Sequence, residues 1–257
     1  MTKTIAITGK GGVGKTTIAS LIIQRLVAVG KTPVLAVDAD SNATLGEALG
    51  VEYSGTVGGI REEARATAAA LTGVAKQEFL DLQVQAALVE EPGYDMIVMG
   101  RPEGPGCYCF ANNVLRDVIQ RLSTNYEYIV VDSEAGIEHI SRRTVLTIDY
   151  LFIVSDCTVK GVRTARRIAE MTEEMGTPVR DRGLVLNRVP GGTLTEAMRL
   201  AVEESGLRLL AIIPEDGSVA ALDAGGIPVS KIPEAAPARL GVNGFVDEIL
   251  GKTLSAA

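Results

Sequence analysis

Short apolar runs alternate with segments of helical spacing along nearly the whole chain. Residues 4–8 read as a buried strand. After a glycine-rich stretch, Ile18, Leu21, Ile22, Leu26 and Val29 recur at the spacing of one helix face, which predicts a helix over 18–29. Further strands are predicted at 33–37, 95–99, 128–131, 150–154, 184–186 and 209–213. Further helices are predicted at 56–71, 75–89, 113–122, 140–146, 162–175 and 194–204, with the alanine-rich stretch 64–71 forming a helix face. Strands of near-continuous apolar character separated by helices imply an α/β fold, a mostly parallel sheet with helices on both faces. Crossovers in such a sheet are right-handed. No long linker, repeat or low-complexity block interrupts the pattern, so residues 1–257 are read as one domain. Ligands of open α/β sheets bind at the carboxyl ends of the strands. Gly9, Asp38, Gly100, Asp132, Asp156 and Asn187 each lie just past a predicted strand and are expected to share one rim.

Composition narrows the partners. With 257 residues, 46% of them hydrophobic and 22% charged, the chain can bury a sizeable core. Net charge is −7 and the isoelectric point about 5.0, which argues against nucleic acid, because neutralising phosphates takes clustered Lys and Arg. No apolar run approaches the roughly 18 to 20 residues that span a bilayer. Met1-Thr2-Lys3-Thr4 leads directly into the first strand, so no signal peptide is expected. Three cysteines are too few and too scattered for a secreted disulfide scaffold, and the expected setting is a reducing cytoplasm without a membrane anchor.

Gly9-Lys10-Gly11-Gly12-Val13-Gly14-Lys15-Thr16 fits the phosphate-loop pattern G-x-x-x-x-G-K-[ST] in the strand–loop–helix context that the motif requires. Glycines let backbone N–H groups turn inward on phosphates, and the helix start adds positive potential. Lys15 reaches the outer phosphates and the Thr16 hydroxyl can ligate Mg2+. Asp132 ends an apolar run and is placed to hold Mg2+ through water, while Gly136, four residues on, can offer its N–H to a γ-phosphate. Asp38 and Asp40 close the second strand and can divide the work, one toward Mg2+ and one toward the attacking water. A lone acid after a strand more often caps a helix or sits in a solvated turn; beside this loop the functional reading prevails.

Lys10 and its neighbours carry a resemblance. Lys10-Gly11-Gly12-Val13-Gly14-Lys15-Thr16-Thr17, with Val37-Asp38-Ala39-Asp40 and Val131-Asp132, resembles the deviant Walker A ATPases, which include MinD, ParA, the arsenite ATPase and the nitrogenase iron protein. The resemblance implies ATP and Mg2+ as ligands, with nucleotide contacts from Gly11, Gly12, Val13, Gly14, Lys15, Thr16 and Thr17. It also implies a homodimer in which Lys10 reaches the partner's nucleotide, offsetting charge on the transferring phosphate. Leu186-Asn187-Arg188 matches the family's adenine-contacting strand end, and Ile213-Pro214-Glu215-Asp216 its later base-pocket loop. The [NT]-K-x-D string of guanine-specific relatives is missing, which favours ATP.

A second constellation follows residue 99. In Gly100-Arg101-Pro102-Glu103-Gly104-Pro105-Gly106-Cys107-Tyr108-Cys109, glycines and prolines hold the loop out of regular structure, and two thiols stand two residues apart, on one side of an extended segment. Two thiolates do not complete a tetrahedral site, but a two-fold-related copy supplies two more. Buried free thiols or a redox pair are the competing readings, and Cys157 is read as a structural thiol. Together with 132–144, these strings resemble the CooC-type nickel ATPases. That resemblance implies Ni2+ or Zn2+ held by Cys107 and Cys109 of both chains, with carbon monoxide dehydrogenase or acetyl-CoA synthase as client. His139, the single histidine, either reports nucleotide state or packs.

Overall fold

The structure, a computed structural model, describes residues 2–59, 82–100, 115, 117–133 and 147–255, the last four as backbone only. Eight strands form one sheet in the order β3-β4-β2-β5-β1-β6-β7-β8. They are β1 (Lys3–Gly9), β2 (Val34–Ala39), β3 (Val89–Glu91), β4 (Tyr94–Val98), β5 (Tyr128–Ser133), β6 (Ile148–Asp156), β7 (Val179–Val189) and β8 (Leu209–Pro214). Every pair is parallel except β3–β4. The labelled helices are α1 (Lys15–Ala28), α2 (Leu45–Leu49), α3 (Val159–Glu174), α4 (Glu196–Ser205), α5 (Gly217–Ala224) and α6 (Pro237–Ser255). This is the mostly parallel, doubly covered sheet that the apolar pattern predicts.

The alternation of side chains along each strand builds two cores. Ile5, Ile7, Val130, Phe152 and Val154 point to the face covered by α1, α2 and α6. Ala6, Val131, Leu151 and Ile153 point to the opposite face, covered by α3 and α4. Phe152 meets Phe245 of α6 edge-on, ring centroids 5.4 Å apart at 88°.

Several boundaries differ from the periodicity reading, each for a physical reason. The helix predicted at 75–89 is helical at 82–87, but Val89 opens β3. Pro92 and Gly93 turn the chain back there, so Val89–Glu91 pairs antiparallel with Tyr94–Val98. β7 begins well before the predicted 184–186, because its more polar first half still pairs with β6. α3 starts at Val159 because the Thr158 hydroxyl accepts from the Gly161 N–H at 2.9 Å.

Three helices, α2, α5 and α6, have no counterpart in the periodicity reading. In α6, Val242, Phe245, Val246, Ile249 and Leu250 are buried at i, i+3, i+4, i+7 and i+8, against α1 and β8. Gly241, Gly244 and Gly251 dilute that signal, and Gly241 lets the helix approach Ile213 of β8. Residues 57–59 and 117–122 are helical within the predicted 56–71 and 113–122. The rest of 56–71 beyond residue 59, residues 75–81, 113–114 and 116, and all of 140–146 lie outside the described residues.

Candidate functional site

The rim formed by the carboxyl ends of the strands collects the predicted residues. Asp38, Asp132, Asp156 and Asn187 sit at or near strand ends rather than beyond them, and Gly100 follows β4. Asp38 and Asp132 are register partners across β2 and β5. Gly9 ends β1 opposite Val154 with φ +151, and a Cβ there would run into the Val154 carbonyl. The chain then turns through residues 10–14 and enters α1 from Gly14, whose φ is +92. No side chain caps α1, so its first N–H groups remain open to an anion.

Lys15 is buried, its Nζ 3.4 Å from the Lys10 carbonyl, whereas Lys10 is exposed. Thr16 Oγ1 donates to Asp132 Oδ2 at 2.7 Å and lies 3.3 Å from Thr44 Oγ1. The other oxygen, Asp132 Oδ1, is buried without a hydrogen-bond partner. A buried, unpartnered carboxylate oxygen beside a threonine hydroxyl fits a hydrated Mg2+, and the donor chemistry, all oxygen, is what that ion takes. Burial pushes the Asp132 carboxyl up to about 6, against the lowering effects of Thr16 and Lys15.

Asp38 is placed differently from the expected division of labour with Asp40. Its Oδ2 accepts from the Leu45 N–H at 2.8 Å and its Oδ1 from the Asp40 N–H at 3.1 Å. The carboxylate thereby ties the start of α2 to β2. Burial raises its pKa to about 7; the Leu45 N–H opposes that shift and the Asp132 charge adds to it. Asp40 is half-buried, and its Oδ1 accepts from the Asn42 N–H at 2.8 Å and from Asn42 Nδ2 at 3.0 Å.

The predicted base contacts also come together. Asn187, Arg188, Pro214 and Asp216 line one small cleft with Thr17. Asp216 serves the backbone as well, accepting from Ser218 N at 2.8 Å and Ala238 N at 2.9 Å, which holds the starts of α5 and α6. Burial raises its pKa, but those bonds outweigh it and leave the group below its ordinary value. Asn187 Nδ2 donates to the Val13 carbonyl at 2.8 Å, and Arg188 Nη1 to the Gly12 carbonyl at 3.1 Å.

Thr44 belongs to this centre although no local sequence signal marks it; only the tertiary contact with Thr16 does. A cleft of about 580 Å3 beside it, lined by Thr16, Thr44, Glu47 and Pro228 among others, is equally invisible in the sequence. Cys107, Cys109, Gly136 and His139 lie outside the described residues. The start of the cysteine loop is on the rim, where the Met99 N–H donates to the Asp38 carbonyl at 2.8 Å. Cys157 packs against the α3-side core, and burial followed by the Asp156 charge pushes its thiol up, as suits a structural role. Among the described residues, no group of three or more His, Cys, Asp or Glu could hold a metal ion, and no helix is long and apolar enough to cross a membrane.

Comparison with known proteins adds the family. The sequence pattern of the CobQ/CobB/MinD/ParA nucleotide binding domain matches residues 4–229. An uncharacterized ATP-binding protein of Methanocaldococcus jannaschii is 39% identical over 251 residues, covering 96% of this chain and 98% of its own. The carbon monoxide dehydrogenase accessory protein CooC of Rhodospirillum rubrum is 30% identical over 247 residues, covering 87% of this chain and 88% of its own. Among solved structures, a chain of the MinC:MinD cell division protein complex of Aquifex aeolicus superposes with a TM-score of 0.72 at 24% identity, covering 97% of this chain and 96% of that one. MinD of Pyrococcus horikoshii, complexed with Mg-ADP, superposes with a TM-score of 0.69 at 21% identity, covering 97% and 96%. These two likenesses concern the fold, whereas the domain match spans most of the chain and includes the whole phosphate loop. The chain belongs to the CobQ/CobB/MinD/ParA nucleotide-binding family.

Proposed function

We propose that this chain is an ATP-hydrolysing metallochaperone that works as a homodimer and supports nickel insertion into carbon monoxide dehydrogenase or acetyl-CoA synthase. The observation that carries the ATPase part is the open start of α1 beside Lys15, Thr16 and the unpartnered Asp132 oxygen. Gly11, Gly12, Val13, Gly14 and Thr17 surround the phosphates, and Lys15 neutralises the outer ones. Thr16 and Asp132 would hold Mg2+, which supplies charge neutralisation at the phosphates. Asp40 orients the attacking water, and the Gly136 N–H meets the γ-phosphate. Asp38 holds the α2 segment against this centre. The base lies in the cleft beside Asn187, Arg188, Pro214 and Asp216. Lys10, exposed on the rim, crosses to the partner's nucleotide in the dimer.

The metal part rests on the C-x-C pair and on the 30% identity with CooC. Cys107 and Cys109, with the same pair from a second copy, make a four-thiolate site for Ni2+ or Zn2+ as cargo. Metal titration tests this: one ion should bind per dimer, and Cys107→Ala or Cys109→Ala should each remove most of the affinity. One ion per chain, unchanged by both substitutions, would eliminate the shared site. ATP and metal should also alter each other's affinity by equal factors, commonly about 5- to 150-fold.

A positioning ATPase like MinD is the second reading, favoured by the structural neighbours. Against it, Val242, Phe245, Val246, Ile249 and Leu250 of α6 are buried against α1 and β8 rather than left for a membrane. An iron–sulfur component like the nitrogenase iron protein would reveal itself as a brown protein with broad visible absorption.

A further inference from the structure

The end of β7 grips the phosphate loop from outside. A loop that turns N–H groups inward on an anion turns carbonyls outward, and those carbonyls need donors of their own. Two side chains supply them: Asn187 on Val13 and Arg188 on Gly12. β7 does not neighbour β1, since β6 lies between them, so both side chains reach across the tip of β6. The approach is close enough that a Cβ on Gly14 would collide with the Asn187 amide.

The backbone is shaped for that reach. The β7–β8 ladder is irregular between Leu186 and Val189, and irregularities of this kind re-aim side chains. Arg188 has φ +55, one of two positive values at non-glycine residues among those described. A left-handed arginine persists only where its surroundings over-determine it. Arg188 is nonetheless exposed, so its conformation is not required to fill a core.

We propose that Arg188 is a positioning residue that holds the phosphate loop in its anion-binding shape, acting through the Gly12 carbonyl rather than on the base. The proposal rests on the ATP reading above and specifies what one residue of that site does. A base contact matters to ATP and not to inorganic triphosphate; a loop clamp matters equally to both.

The experiment displaces a fluorescent ATP analogue from the full chain with ATP or with inorganic tripolyphosphate. Arg188→Ala should weaken both competitors by a similar factor, on the order of 3- to 10-fold for loss of one hydrogen bond. Arg188→Lys should recover part of that loss for both. At about 0.5 M salt, where charges interact over only a few ångströms, the loss for ATP should persist. Thermal melting of the nucleotide-free variants should match the parent, showing that the fold is intact. Weakened ATP with unchanged tripolyphosphate would make Arg188 a base contact and overturn the proposal. A loss that vanishes at high salt would make it a distant charge, and unchanged affinities for both would leave it no role; either result overturns the proposal too. Failure of the ATP reading would show instead in the unmodified chain, as an analogue that neither binds nor is displaced.

Discussion

The two buried carboxylates should make the nucleotide-free chain less stable as pH rises through neutrality. Burial raises the Asp38 carboxyl to about 7 and the Asp132 carboxyl to about 6 in the folded protein, against 3.8 for the ordinary group. A raised folded pKa means that the folded state holds protons which the unfolded state has released. The associated stability is fully present below 3.8 and is lost as pH climbs through the folded values. Between about pH 5.5 and 8, linkage gives a loss of about 2 kcal/mol from Asp38 and about 1 kcal/mol from Asp132. For a chain of this size that is about 6–12 °C in Tm. The assay is thermal melting across this range with and without Mg2+ and ATP, for the parent and for Asp38→Asn. The substitution should remove about two-thirds of the slope. It also costs one acceptor for the Leu45 or Asp40 N–H, which offsets all melting points but not their slope. Saturating Mg2+ and nucleotide should flatten the parent's slope, because the cation favours the ionised Asp132. An Asp38→Asn slope equal to the parent's would refute Asp38 as the source of the pH dependence.

Other substitutions test the remaining parts of the site. Lys15→Ala should nearly abolish ATP binding in a nucleotide titration, whereas Lys10→Ala should bind ATP and hydrolyse it about 10²- to 10³-fold more slowly. Mixing those two variants should partly restore turnover, since one site of the mixed dimer then has its own Lys15 and a Lys10 from the other chain. Gly14→Ala forces a methyl group toward the Asn187 amide at φ +92 and should weaken nucleotide binding at least about tenfold, read by the same titration. Phe245→Ala empties a buried ring site against Phe152 and should cost about 3–5 kcal/mol in denaturant unfolding, which would show that α6 is part of the core.

The sequence alone determined the class of fold and marked the phosphate loop. Strands buried on both faces must be continuously apolar, and a phosphate loop needs glycines and a lysine at set spacings, so both leave local marks. Lys15 and Thr16 are legible for that reason, whereas Asn187, Arg188, Pro214 and Asp216 are named only through the family resemblance. What the sequence could not mark are properties that arise only when distant segments meet. The β3–β4 hairpin overrides a helical pattern because a strand edge is available to pair with. α6 hides its apolar face among glycines, and the close approach to β8 that one of them, Gly241, permits exists only in the folded chain. Asp38 has a ligand's position at a strand end, yet folding commits both its oxygens to backbone N–H groups. Thr44 gains its place beside Thr16, and Arg188 its hold on Gly12, from contacts across 28 and 176 residues of sequence. Such contacts depend on strand order and backbone direction, and neither is encoded in any local window of residues.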